Sequence, residues 1–298
     1  CMGEAAALLT ACCWVVSSLA YSASVQVVGA PVVNRARLVM AIGFLIVTHR
    51  LLMGTWIPAA DGVRWLWLGL SGLAGLVLGD WALLSAYGLV GPRIATLMMA
   101  VSPVISTFLA WAFLGERLQG WEYLGVALAL AGVGLVVFER TDGLGRKVAP
   151  RRYFLGVLAG LGAAAGQSSG LILAKAGLAG GFSPLSGVLM RMLAAGAILW
   201  LATLLGGRVR STLTTLNQNR PVLGRIALGS LMGPFVGVWL SLVAVQASHV
   251  GVASTLMAMT PVLILPVVRW GLKEKVSRRA VLGTLLSIAG VAVIFVVG

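Results

Sequence analysis

The sequence predicts an all-α integral membrane protein, ten transmembrane helices folded as two inverted five-helix repeats around a central cavity. Three observations lead there: a shortage of charge, ten apolar stretches of spanning length, and an internal repeat. Of 298 residues, 59% are hydrophobic and only 10% are charged, with a mean hydropathy of +1.01. Soluble domains carry about 25% charged residues, and a soluble globule with so few could not cover its surface. A span takes about 20 residues, so the length admits at most about fourteen. The 39 glycines and 10 tryptophans suit this class, since Gly is common in membrane helices and Trp anchors their ends.

The net charge of +14 would point to nucleic acid in a soluble chain. In a membrane protein it reads as basic loops facing anionic lipid, so the partners expected are a bilayer and a small-molecule substrate, not nucleic acid. Cys1, Cys12 and Cys13 make neither a disulfide framework nor a metal knuckle. No Walker lysine loop, nucleotide fingerprint or metal-ligand cluster occurs. No cofactor is expected, and coupling falls to an ion gradient or to the substrate's own.

In order, the apolar segments are 5–28, 32–49, 65–87, 94–114, 121–138, 154–174, 185–206, 223–245, 251–270 and 280–297. The first offers Glu4 where a signal peptide has a basic start, so it reads as a permanent span. The second admits Arg35 and Arg37 near its beginning. The runs are continuously apolar, whereas the strands of a membrane barrel alternate. With Arg37 and Arg191 set aside as intramembrane, sixteen Lys and Arg fall on one face and four on the other. The positive-inside rule then leaves both termini extracytoplasmic in a bacterial inner membrane.

The longest hydrophilic connection, 139–152, sits halfway along the chain as a basic cytoplasmic linker between repeats 1–138 and 153–298. Shifted by 158 places, 75–137 aligns with 233–295 without a gap and shares 18 of 63 residues. Among them are Gly75/Gly233, Gly79/Gly237, Trp81/Trp239, Met99/Met257, Pro103/Pro261 and Glu116/Glu274. Five spans is an odd number, so the second copy lies inverted. Inverted repeats are the architecture of secondary transporters, with the substrate site near the midplane between halves.

The runs Ala82–Tyr87, Ala95–Pro103, Leu114-Gly-Glu-Arg-Leu118 and Leu124–Gly132, echoed by Ala253–Pro261, Leu272-Lys-Glu-Lys275 and Leu282–Gly290, resemble the EamA domain of the drug/metabolite transporter superfamily. The resemblance covers the chain and implies ten helices in two inverted repeats around a cavity. Its length is similar to bacterial exporters of amino acids, including the YddG-type aromatic amino-acid exporters. Nucleotide-sugar or drug-type transport within the superfamily is the alternative. The second copy departs from the pattern at Lys273 and Val276, where the first has Gly115 and Leu118.

Candidate residues follow from chemistry. Asp80 is the carboxylate deepest in an apolar span, a costly placement that marks pathways or proton relays; it also suits a structural pair with Arg37 or Arg191. Those two arginines stand at equivalent places in the repeats and could fork a substrate carboxylate or tie helix ends. Trp14, Ser17, Ser18 and Tyr21 share one helical face, and Gln167, Ser168 and Ser169 answer them in the sixth span. Of these, Trp14, Ser17, Tyr21 and Ser168, together with Met98, Met99 and Met257, are the expected substrate-binding wall, with Asp80, Arg37 or Arg191 nearby, against the plain reading of interhelical packing. Pro103 and Pro261 are expected hinges. Gly166–Gly170 matches the G-x-S-x-G nucleophile elbow, which would make Ser168 the nucleophile of an intramembrane serine hydrolase. That motif needs a strand–turn–helix and a histidine, so no enzyme is expected. Neither a hydrolase nor a receptor-like scaffold gives a reason for the repeat.

Overall fold

Long runs of Ala, Leu, Val and Gly in a medium without water must satisfy their backbone internally, and the helix does so within one segment. A computed structural model describes residues 2–99, 101–116, 120–137, 149–260, 262–264, 267 and 278–297, and every regular element among them is helical. In chain order these are α1 (Met2–Val28), α2 (Ala30–Met53), α3 (Gly62–Gly91), α4 (Ser102–Leu114), α5 (Gly120–Val137), α6 (Pro150–Gly177), α7 (Pro184–Leu205), α8 (Val209–Gln218), α9 (Arg220–Ala247), α10 (Val250–Met257) and α11 (Arg278–Val297), with a short helix over 92–99 set off from α3 by the break at Gly91. Six of them, α1, α2, α3, α6, α7 and α9, are long and apolar enough to cross a bilayer, and shorter apolar helices accompany them.

Local chemistry sets the ends. Proline occupies the first turn of α2, α6 and α7, where its missing N–H has no acceptor to lose. Asp61 caps α3 by accepting from the Arg64 N–H at 2.8 Å. Gly54 closes α2 in the left-handed conformation that glycine adopts without strain.

Two expectations need correction. The segment 94–114 is not one helix: the chain is helical to Met99, turns at Val101 and starts α4 at Ser102. The segment 251–270 likewise breaks after Met257, with a turn at Ala258–Met259. The breaks are repeat-equivalent and carry the same bonds. Val101 N–H donates to Met98 O at 3.2 Å, as Met259 N–H does to Leu256 O at 3.2 Å; Val104 N–H donates to Val101 O at 3.1 Å, as Val262 N–H does to Met259 O at 2.9 Å. Pro103 therefore sits in the first turn of a new helix and not in mid-span. Pro261 and linker residues 139–148 lie outside the described residues. The polar helix α8, between α7 and α9, has no counterpart in the sequence expectations.

Packing follows the repeat. α1 lies against α9 and α10, while α6, its counterpart, lies against α3 and α4; α2 packs on α7 and α5 on α11. The α1–α9 and α6–α3 contacts thus answer one another with the halves exchanged. The third helix of each half also widens into a π-helical segment at equivalent places, Gly72–Gly79 in α3 and Leu231–Gly237 in α9. Large apolar side chains such as Leu66, Trp81, Phe108, Leu158 and Leu201 stand exposed on the outside, which suits a surface bathed in lipid. Trp56, Trp121 and Tyr153 are exposed near helix ends, where amphipathic rings anchor an interface.

Candidate functional site

A cavity opens between the two halves, with α1, α2, α3, α6, α9 and the broken ends before α4 and after α10 in its wall. About 100 Å³ of it is open to the centre of a water-sized sphere, and one water needs about 10–15 Å³ on that measure. There is room for a small solute.

Symmetric pairs build much of the wall. Leu76 and Pro234, Asp80 and Val238, Met99 and Met257, and Ser102 and Thr260 all line it, each pair separated by the repeat shift. Glycine decides how closely the walls approach. A Cβ on Gly166 would stand 2.7 Å from Gly79 Cα and 2.8 Å from Ala74 O; one on Gly170 would stand 3.1 Å from Gly75 Cα. So α6 meets α3 backbone to backbone. On α9 the equivalent stripe does something else. A Cβ on Gly229 would lie 2.6 Å from the Tyr21 ring, one on Gly233 3.1 Å from Ser17 Cβ, and one on Gly237 2.9 Å from Trp14 Nε1. The glycines of α9 make room for the aromatic and hydroxyl face of α1.

The charged centre is Arg37. It is 4% exposed and forms a salt bridge from Nη2 to Asp80 Oδ2. Its Nε donates to Asn34 Oδ1 at 2.8 Å and its Nη2 to Leu76 O, inside the π-helical segment, at 3.4 Å. The guanidinium lies 5.7 Å from the Tyr21 ring centroid, within reach of a cation–π contact. Tyr21 in turn donates to Ser230 Oγ at 3.4 Å. A cation, an anion and aromatic faces thus share one cavity, and only one half supplies the acid, because Val238 replaces it in the other.

Of the expected wall, Trp14, Ser17, Tyr21, Arg37, Asp80, Met99 and Met257 line the cavity; Met98, Ser168 and Arg191 do not. Met98 packs over Gly160 of α6, because successive helical residues point about 100° apart. Ser168 is fully buried, donating to Ala164 O at 2.8 Å and Ser102 O at 3.0 Å within a continuous helix. The elbow's strand and turn are absent from this described segment. Arg191 is wedged against α3: its carbonyl abuts Gly72, and its Nη2 lies 3.2 Å from where a Gly75 Cβ would stand. Its Nε and Nη1 have no hydrogen-bond partner among the described residues. The two arginines share a place in the repeat and differ in partner. Sequence reasoning missed Tyr87, Ser102, Ser254 and Thr260 as lining residues. The repeat alignment, followed into the polar positions beside Met99 and Met257, would have found Ser102 and Thr260.

At the opposite end from the basic loops, Glu116 after α4 meets Lys175 at 2.5 Å and accepts from the Val250 N–H at 2.9 Å, while Lys175 donates to Ser248 O at 2.9 Å. These bonds strap α4, α6 and the α9–α10 turn together.

The fold and cavity define a multi-pass helical membrane protein with a largely apolar chamber between two repeats that holds one ion pair, the class of a solute transporter. The EamA-like transporter family matches residues 2–138 and again 154–296, and the chain belongs to that family. Membership makes it a membrane transporter of small solutes. A solved crystal structure, described only as that of a protein, is 21% identical and aligns over 99% of this chain and 96% of that one with a TM-score of 0.71. That likeness concerns the fold alone. No curated protein matches.

Proposed function

We propose that the chain is a ten-helix secondary transporter or facilitator whose inverted repeats, 1–138 and 153–298, alternate access to the cavity and export amino acids, aromatic ones foremost. The cavity's composition carries the reading. A zwitterion presents a carboxylate and an ammonium within a few Å, the same two charges that Arg37 and Asp80 present to one another. Substrate can therefore enter by exchanging partners with an existing pair, so neither protein charge is left uncompensated in a low dielectric. The aromatic preference rests on Trp14, Tyr21 and Tyr87, since ring pairs add about 0.5–1.5 kcal/mol beyond burial. In this reading the membrane is a bacterial inner membrane, the linker is cytoplasmic, both termini are outside, and Pro103 and Pro261 mark the breaks about which half-helices move.

The test is counterflow of radiolabelled Phe, Trp and Thr in proteoliposomes, with and without a pH gradient. Phe and Trp should move faster than Thr. In Trp14→Ala their apparent affinity should fall roughly 2- to 12-fold, the equivalent of the ring term, with Thr little changed. Equal losses for all three would leave Trp14 a packing residue and remove the aromatic assignment; no flux of any amino acid would remove the substrate class.

A further inference from the structure

The helix α8 joins α7 and α9, both long enough to cross the bilayer, and so is held at the membrane surface. Thr212 is buried, Leu216 packs inward, and Leu213 stands exposed beside the polar positions. Arg35, in the opening turns of α2, reaches this helix: its Nη1 donates to Thr212 Oγ1 at 2.7 Å, and that hydroxyl donates to Arg208 O at 2.7 Å. Arg35 is 8% exposed, and its Nε has no hydrogen-bond partner among the described residues. Arg208 stands at the N-cap of α8, close enough for its charge to act repulsively on Arg35. No side chain caps α8, so the N–H groups of Val209, Arg210 and Ser211 have no intrahelical acceptor and form the positive end of the helix.

Two guanidiniums and a helix N-terminus thus converge. None of the ion pairs among the described residues joins Arg35, Arg208 or Arg210 to a carboxylate. A buried cation beside a like charge is unfavourable until an anion completes it. A phosphate group fits the donors: planar guanidinium forks pair with two of its oxygens, and first-turn N–H groups accommodate a third. The source follows from position. The cluster lies at the lipid boundary, on the face that carries sixteen of the basic residues, where anionic headgroups gather.

We propose that Arg35, Arg208 and the open first turn of α8 form a binding site for the phosphate of an anionic phospholipid. The bound headgroup locks the α2–α8 junction, and the exposed Leu213 dips toward the acyl chains. The site is separate from the cavity and stands whatever solute the cavity takes.

The test uses the full chain, stripped of lipid in a neutral detergent and titrated with phosphatidylglycerol, phosphatidylcholine or inorganic phosphate. Bound lipid is read by native mass spectrometry and stability by melting. Phosphatidylglycerol should bind at least about tenfold tighter than phosphatidylcholine and raise the melting temperature. R208Q should weaken it about fivefold, the worth of one basic residue near an anionic headgroup. R35K keeps the charge but loses the Nε donor and should also bind more weakly; with R208Q it decides the matter if R35Q fails to fold. Unchanged affinity in both variants, or equal affinity for the two lipids, would overturn the proposal. Displacement of phosphatidylglycerol by equimolar inorganic phosphate would overturn the lipid assignment and leave a soluble-anion site.

Discussion

Removing the Asp80 charge tests the centre of the cavity. In Asp80→Asn the Arg37 guanidinium keeps Asn34 and Leu76 O as acceptors but loses its only counter-charge among the described ion pairs. Breaking a buried pair on one side costs about 3–5 kcal/mol, because the survivor stays charged in low dielectric. The Asp80 side chain is 16% exposed against 5% for Arg37, and the cavity admits some water, so the lower end, about 3 kcal/mol, is the expected value. At about 2–4 °C per kcal/mol for a large domain, melting in detergent should drop by roughly 6–12 °C. The double variant Arg37→Met, Asp80→Leu removes both charges and should melt above either single variant, since apolar residues of similar volume replace a buried pair at little loss. Its transport should nonetheless be abolished, because the exchange partners for a zwitterion are gone. Single losses that simply add in the double variant would show that the two charges do not stabilise one another. A double variant with wild-type flux would mean that the pair holds helices together and meets no substrate.

Three further outcomes are expected. Gly166→Ala drives a methyl into the backbone of Gly79 and Ala74, neither of which can rotate away, and should cost about 1–3 kcal/mol; Gly43→Ala, with nothing within 4 Å, should be neutral or slightly stabilising in the same melting assay. Glu116→Gln removes the charge that holds Lys175 and should loosen that end. A cysteine at Ser254, in a background with Cys1, Cys12 and Cys13 replaced, should then label several times faster with a membrane-impermeant thiol reagent applied from the side of the termini, and an unchanged rate would show that the strap does not gate entry. A reporter active only in the cytoplasm, fused at either terminus, should stay silent; activity at both ends would reverse the proposed sidedness.

The sequence by itself determined the membrane class, the approximate limits of the apolar helices and the existence of two repeats. Those properties are sums over local composition, and a hydrophobic run of spanning length has few other folds open to it. It also marked the aromatic face of α1 from helical period and the glycines Gly233 and Gly237 of α9 from the repeat. Only the tertiary structure decided that these two face each other, Tyr21 over Gly229 and Trp14 over Gly237, because which stripes meet depends on how whole helices rotate and pack. The same rotation separated Met99, in the cavity, from Met98, against α6. It gave Arg37 a carboxylate and left Arg191 against the glycines of α3, although the repeat treats the two alike. The acid stands on one copy alone, so no symmetry in the sequence could assign its partner; that took the packing of α2 against α3.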